Sequence, residues 1–292
     1  VAVALVEQAF AKINLTLRVL GRRADGYHTL ESLVAFAELS DTLTLQPGAA
    51  PALDVTGPFA PASGPAADNL VLKACESLGE LAAGLKAGRF SLMKNIPVAA
   101  GLGGGSADAA AALRLLARCN GIAPDDPRLM QAARAVGADV PVCLDPRPRV
   151  MRGVGDELSP SLKMPRLPAL LVNPGVAVAT RDVFAKFNAT QAGQKPLADM
   201  PDQLEALFAF LRATENDLTP AAIVCAPVVA EVIELLRVLP GARLARMSGS
   251  GATCFALFGS AAEAAAAARQ LSAARKDWWV CPTTLGSMEK RS

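Results

Sequence analysis

The chain has 292 residues, 29 Lys+Arg against 27 Asp+Glu for a formal net charge of +2, 52% hydrophobic content and 19% charged content. This is the composition of a soluble globular protein with length for one large domain or two ordinary ones. So balanced a charge argues against a nucleic-acid or membrane-surface partner, and no run of eighteen uncharged apolar residues forms a candidate transmembrane helix.

In chain order, the opening VAVALVEQAF lacks a basic leader and carries Glu7, which makes it a poor secretory signal. Residues 12–19, KINLTLRV, alternate cleanly. The alternation predicts a half-buried strand with Ile13, Leu15, Leu17 and Val19 on one face and Lys12, Asn14, Thr16 and Arg18 on the other. Lys12 and Asn14 then share a polar face about 7 Å apart. The segment GRRADGYH (21–28) turns on Asp25-Gly26, and DTLTLQ (41–46) supplies another strand.

The Pro/Gly/Ala-rich stretch 47–67 reads as an irregular connection, and Asn69–Leu81 has helical spacing. RFSLMKN (89–95) is a short strand feeding a glycine run, after which Ser106 is the expected N-cap of a helix over Ala107–Leu116. A further helix spans about Asp125–Val136 and stops at Gly137. The proline-broken segment between Asp145 and Pro168 is the natural boundary, giving expected domains 1–155 and 156–292. Beyond it come a buried strand and turn (168–175), helices over 201–212 and 227–238, a strand–glycine turn–strand unit (242–260), an alanine-rich helix (260–274) and a closing strand (278–281). Strands and helices without regular βαβ alternation argue an α+β fold.

Chemistry concentrates in PVAAGLGGGSADAA (97–110). Four glycines let the backbone take positive φ and approach a ligand closely, and the following helix N-terminus offers amide donors and a positive dipole end to an anion such as phosphate. The Walker pattern is absent, since no Lys follows the glycines, and the dinucleotide fingerprint is only half met because Ser106 takes its third small position. Taken alone, such a run can also be a merely tight strand-to-helix connection. The six scattered cysteines (75, 119, 143, 225, 254 and 281) and the lone His28 build no metal cluster. They read as reduced thiols of a cytoplasmic protein, with any metal arriving on the nucleotide.

Five segments stand in order: AFAKINLTL (9–17), GRRADGYHTL (21–30), the glycine run, GADVPVCL (137–144) and MSGSGA (247–252). Together they resemble the GHMP small-molecule kinases over about Ala9–Phe258. The R-x-D-G-Y-H piece points to the branch that phosphorylates the 2-hydroxyl of a cytidine diphosphate-linked methylerythritol in non-mevalonate isoprenoid synthesis. The resemblance implies a two-domain α+β fold, with an N-terminal domain like ribosomal protein S5 domain 2, a ferredoxin-like C-terminal domain and the site in the cleft between them.

By the same resemblance Asp139 is the catalytic base and Lys12 its partner. The ATP phosphates lie along Pro97, Val98, Ala99, Ala100, Gly101, Leu102, Gly103, Gly104, Gly105, Ser106 and Ala107, with Asn69 and Lys94 lining the adenine pocket. Ser106 is a candidate Mg²⁺ ligand. Asn14, Gly249 and Gly251 contact the substrate, Tyr27 and Phe184 sandwich its cytosine ring, and His28 reads the ring's edge. Phe187 lies close enough in sequence to be confused with Phe184. The expected partners are ATP, Mg²⁺ and a small-molecule alcohol, with no nucleic acid or membrane, and the expected state is a monomer or weak homodimer.

Two other readings remain open from the sequence. A nicotinamide-dependent oxidoreductase would use Gly101 and Gly103 as a pyrophosphate turn, but Asp125 and Asp126, at about the right distance for its acid, open a helix behind Pro124. A non-catalytic nucleotide-binding module gives no reason for Lys12, Asp139 or the Tyr27-His28 pair.

Overall fold

The computed structural model describes residues 3–48, 50–187 and 200–288, which fall into two compact units. One consists of the chain up to Lys12 with Leu39–Val98 and Gly103–Pro146, and the other of Ile13–Glu38, Ala99–Leu102 and the chain from Arg147.

In the first unit the strands are β1 (Leu5–Asn14), the far half of β3 (His28–Pro47), β4 (Ala52–Thr56) and β5 (Gly88–Met93). Strand β5 runs antiparallel to β3, setting Leu92 opposite Leu43 and Phe90 opposite Leu45, and parallel to β4. Its residues alternate buried and exposed, as one packed face requires. The helices are α1 (Leu70–Leu81), α2 (Gly104–Asn120), α3 (Pro127–Val136) and the single turn α4 (Val140–Cys143). Helix α2 is buried on every side from Ala107 to Leu113. Its run of alanines allows this, because a helix enclosed all round must be apolar all round and thin enough for its neighbours to approach. Asn69 caps α1 and Asp126 caps α3, each accepting a backbone N–H two residues on.

The second unit holds β2 (Arg18–Arg22), the first half of β3, β6 (Arg149–Gly153), β7 (Glu157–Leu158), β8 (Leu167–Asn173), β9 (Ala242–Met247), β10 (Cys254–Phe258) and β11 (Trp279–Gly286). Its helices are α5 (Thr180–Lys186), α6 (Leu204–Arg212), α7 (Thr219–Cys225), α8 (Val228–Arg237) and α9 (Ala261–Ala274). The strands β11–β8–β10–β9 pair antiparallel in that order, with α8 ahead of β9 and α9 between β10 and β11. That is the split βαβ arrangement of a ferredoxin-like sheet. Its core joins Leu170, Val172, Ala256 and Phe258 of the sheet to Val232, Leu236, Ala267 and Leu271 of α8 and α9. The fold is α+β, as expected.

Several local expectations are corrected. The stretch 12–19 is not one half-buried strand: β1 ends at Asn14, β2 begins at Arg18, and the polar residues Lys12, Asn14, Thr16 and Arg18 are as buried as the apolar ones. Each polar group found a partner distant in sequence, respectively Asp139, Ser32, the Leu33 N–H and Glu31, that makes its burial tolerable. DTLTLQ is only the end of the twenty-residue β3. Within 47–67 the structure forms β4 and two short 3-10 turns, where flanking prolines and glycines masked the alternation of Ala52–Thr56. Helix α2 opens at Gly104 with Gly103, not Ser106, at its N-cap, so Ser106 lies inside the first turn. The closing strand runs on through Pro282 to Gly286.

Candidate active site

In the first unit, Lys12 near the end of β1 donates from Nζ to Oδ2 of Asp139 at 2.9 Å, joining residues 127 apart in sequence. The lysine side chain is 5% exposed and the aspartate's 37%, so the ammonium is sealed behind a carboxylate that still faces solvent. Asp139 sits at the N-cap of α4.

The glycine run lies against this pair. Gly103 takes φ +62°, and a Cβ there would stand 3.2 Å from Cε of Lys12 and 3.3 Å from its Cβ. Glycine is needed twice over, for the left-handed turn that opens α2 and for the stem of Lys12 to pass beneath it. The N–H groups of the first turn of α2 have no partner within the helix, an arrangement able to receive an anion. A Cβ on Gly105 would stand 3.6 Å from Cδ1 of Leu70, the first residue of α1.

Lys94 lies beside Gly104 of the glycine run. Its ammonium is buried between Asp41 and Asp108, at 2.6 Å from the latter. Asp41 also accepts the backbone N–H of Ile96 at 2.8 Å. Burial pulls the lysine pKa down, but the two carboxylates outweigh it and hold it above its ordinary value. Burial pushes Asp108 up to about 8, against the opposing pull of Lys94 and with the repulsion of Asp41. The Lys94 side chain therefore ties β3, the end of β5 and α2 together. Sequence reading missed this cluster. The signal was Asp108 itself, a charged residue on a helix otherwise apolar all round.

In the second unit the glycine run and the β9–β10 turn are fastened together. The Ser248 hydroxyl donates to the Gly101 carbonyl at 3.0 Å and accepts the N–H of Asn14 at 3.1 Å, and Thr253 N–H donates to the Ala100 carbonyl at 3.2 Å. The Asn14 carboxamide donates to the Ser32 hydroxyl at 2.7 Å, and Asn216 holds the carbonyls of Met247 and Gly249 at 2.9 and 2.8 Å. A Cβ on Gly101 would meet the Ser248 carbonyl oxygen at 2.5 Å, and one on Gly249 the Gly101 oxygen at 3.2 Å and the Asn14 oxygen at 3.3 Å. Gly251 has φ +86° and lies against the Met247 sulfur. Asn14, Gly249 and Gly101 are thus in contact, as one network.

Two aromatic rings meet His28 in this unit. The imidazole of His28 stacks on Phe184, with centroids 4.9 Å apart and planes at 22°. Phe187 meets the same imidazole edge-on at 6.1 Å and 90°. Tyr27, at the tip of the β2–β3 hairpin, is 66% exposed and does not lie on Phe184. Burial, with the charge of Arg22, holds His28 below its ordinary pKa, so the ring is neutral at pH 7 with one donor and one acceptor nitrogen.

A lysine–carboxylate pair under a helix-opening glycine loop is the equipment of a small-molecule phosphotransferase. Residues 69–145 match the family model described as GHMP kinases N terminal domain, and residues 194–277 match GHMP kinases C terminal. The chain is 56% identical over 97% of its length to 4-diphosphocytidyl-2-C-methyl-D-erythritol kinase of Rhodopseudomonas palustris (strain BisB18), covering 95% of that protein. Its identity to the same-named protein of Methylorubrum extorquens is 53%, covering 96% of this chain and 99% of that one. A crystal structure of 4-(cytidine 5'-diphospho)-2C-methyl-D-erythritol kinase, 35% identical, superposes with a TM-score of 0.77 over 97% of this chain and all of that one, a 100% share. Homoserine kinase from Cytophaga hutchinsonii shares the fold at 19% identity, with a TM-score of 0.69 over 98% of this chain and 96% of that one. The chain belongs to the GHMP kinases, and within them to the 4-diphosphocytidyl-2-C-methyl-D-erythritol kinase family.

Proposed function

We propose that the chain transfers the γ-phosphoryl group of ATP to the 2-hydroxyl of 4-diphosphocytidyl-2-C-methyl-D-erythritol, giving the 2-phosphate and ADP for isoprenoid precursor synthesis. The observation that carries this reading is the Lys12–Asp139 pair at 2.9 Å, packed against Gly103 of the phosphate cradle. A tertiary alcohol is a weak nucleophile. As its oxygen bonds to the γ-phosphorus, its proton passes to the exposed carboxylate of Asp139, and the bond from the γ-phosphorus to the bridging oxygen breaks to release ADP. Lys12 holds that carboxylate in place from its buried side. The segment Pro97–Ala107 wraps the ATP phosphates, its donors including the first-turn N–H groups of Gly104, Gly105 and Ser106, and Asn69 and Lys94 lie toward the adenine.

The oxygen donors present fit a Mg²⁺ ion that arrives on the nucleotide. No three His, Cys, Asp or Glu side chains converge on a metal site among the described residues, and the Ser106 hydroxyl in the first turn of α2 would hold the ion from the protein side. The ion would neutralise phosphate charge, which no lysine in the loop does. In this reading Asn14, Gly249 and Gly251 position the alcohol and its diphosphate. Cytosine stacks on the exposed Tyr27 and on Phe184, where the neutral His28 now lies, and His28 moves to the base's edge to supply its donor and acceptor. No helix among the described residues is long and apolar enough to cross a membrane. The reading places the protein in the cytoplasm as a monomer or weak homodimer without a nucleic-acid partner.

The test is a coupled ADP-release assay with the cytidine-linked alcohol and with unconjugated methylerythritol phosphate. The conjugated alcohol should be turned over and the unconjugated one scarcely at all. Asp139→Asn and Lys12→Ala should each lower kcat by at least ~10², the scale of a lost general base, with ATP affinity nearly intact. Near-native turnover by either variant at saturating substrates overturns the assignment.

A further inference from the structure

Arg114 lies in the middle of α2, well away from the glycine loop, with its side chain 11% exposed. Its three guanidinium nitrogens go to three places. Nε donates to Oε2 of Glu7 at 3.0 Å, one terminal nitrogen to the carbonyl of Gln8 at 2.8 Å, and the other to the carbonyl of Cys143 at 2.8 Å. Glu7 and Gln8 belong to β1, the strand that presents Lys12. Cys143 is the last residue of α4, the turn that Asp139 opens. One planar cation on the phosphate-cradling helix thus hydrogen-bonds the backbones of both elements that carry the proposed catalytic pair.

We infer that Arg114 is a positioning residue for the proposed phosphoryl transfer, holding β1 and α4 at the separation that lets Lys12 meet Asp139. The inference rests on that reaction. The chemistry favours arginine, since only its fork can donate in three fixed in-plane directions at once, whereas a lysine ammonium can follow one or two of them without the rigid spacing. The bond to Cys143 also places positive charge at the carbonyl end of α4, the favourable end for a cation. Glu7 is not part of the tether. It completes the charge of Arg114 and of Arg118, which donates to its other oxygen at 2.7 Å.

The experiment compares Arg114→Lys with Glu7→Gln in the full chain, by steady-state kinetics and by amide hydrogen exchange. Arg114→Lys is expected to fold and to lose ten- to a hundredfold in kcat, the cost of a misplaced reacting pair, with KM for ATP and alcohol changed less than threefold. Glu7→Gln, which leaves both backbone tethers in place, is expected to keep kcat within twofold. In an Asp139→Asn background Arg114→Lys should add no further loss, because the pair it positions is already gone. Exchange in Arg114→Lys should quicken at residues 139–144 while α3 stays protected. That readout needs no turnover, so a wild-type protein inactive on the alcohol would sink the proposed reaction and leave the tether separately decided. Failure of Arg114→Lys to fold, uniform loss of protection, an unchanged kcat, an equal loss in Glu7→Gln or additive losses with Asp139→Asn would each overturn the inference.

Discussion

His28 is the chain's only histidine, so its ring gives a single imidazole signal in a proton NMR titration. Stacked on Phe184 and partly desolvated, it should titrate below 6.5. The sign for stability follows. A histidine whose folded pKa is depressed is harder to protonate in the native state than in the unfolded one. Its contribution is therefore complete above the unfolded value and is lost as pH falls through 6.5 toward the folded value. Phe184→Ala removes the ring that covers it and should move the titration back toward 6.5. A midpoint that stays put in that variant would assign the depression to Arg22 instead of the stack.

At the scale of elements, two glycines of one loop should fail in different ways when given a methyl group. At Gly101 a Cβ meets backbone oxygens of Ser248 and Gly251 at 2.5 and 2.8 Å, where no side chain can rotate aside. Gly101→Ala should cost at least ~2 kcal/mol in urea unfolding, from positive φ together with the backbone collision. At Gly103 the obstacle is the flexible stem of Lys12. Gly103→Ala should cost only the ~1–2 kcal/mol of a left-handed non-glycine residue, yet lower kcat more than Gly101→Ala does, because relief moves the lysine that faces Asp139. Equal kcat losses in the two variants would show that the loop acts as a unit.

For the whole molecule, the buried Lys94–Asp41–Asp108 cluster bears most directly on stability. Removing the ammonium leaves the buried Asp41 and Asp108 without their shared donor and positive charge, and breaking a buried pair from one side typically costs ~3–5 kcal/mol. Lys94→Ala should lower the unfolding midpoint by that order, and Asp108→Asn, which removes one of the two competing carboxylates, by much less. Matching losses in both variants would mean that the cluster is held by packing rather than charge.

What the sequence determined by itself was whatever a few neighbouring residues encode. Positive-φ glycines at 101 and 103, the hairpin at Asp25-Gly26 and the two-strand unit around Ser248–Gly251 were all legible, because turn chemistry acts within about four residues. The ordered motifs likewise identified the family. Only the tertiary structure decided which polar residues find each other. Lys12 reaches Asp139 across 127 positions, Lys94 is drawn between two aspartates, His28 stacks on Phe184, and Arg114 gathers three elements. Alternation did not tell that Lys12, Asn14, Thr16 and Arg18 are buried with their apolar neighbours. Burial of a polar group depends on whether a distant partner satisfies it, and no local pattern carries that information.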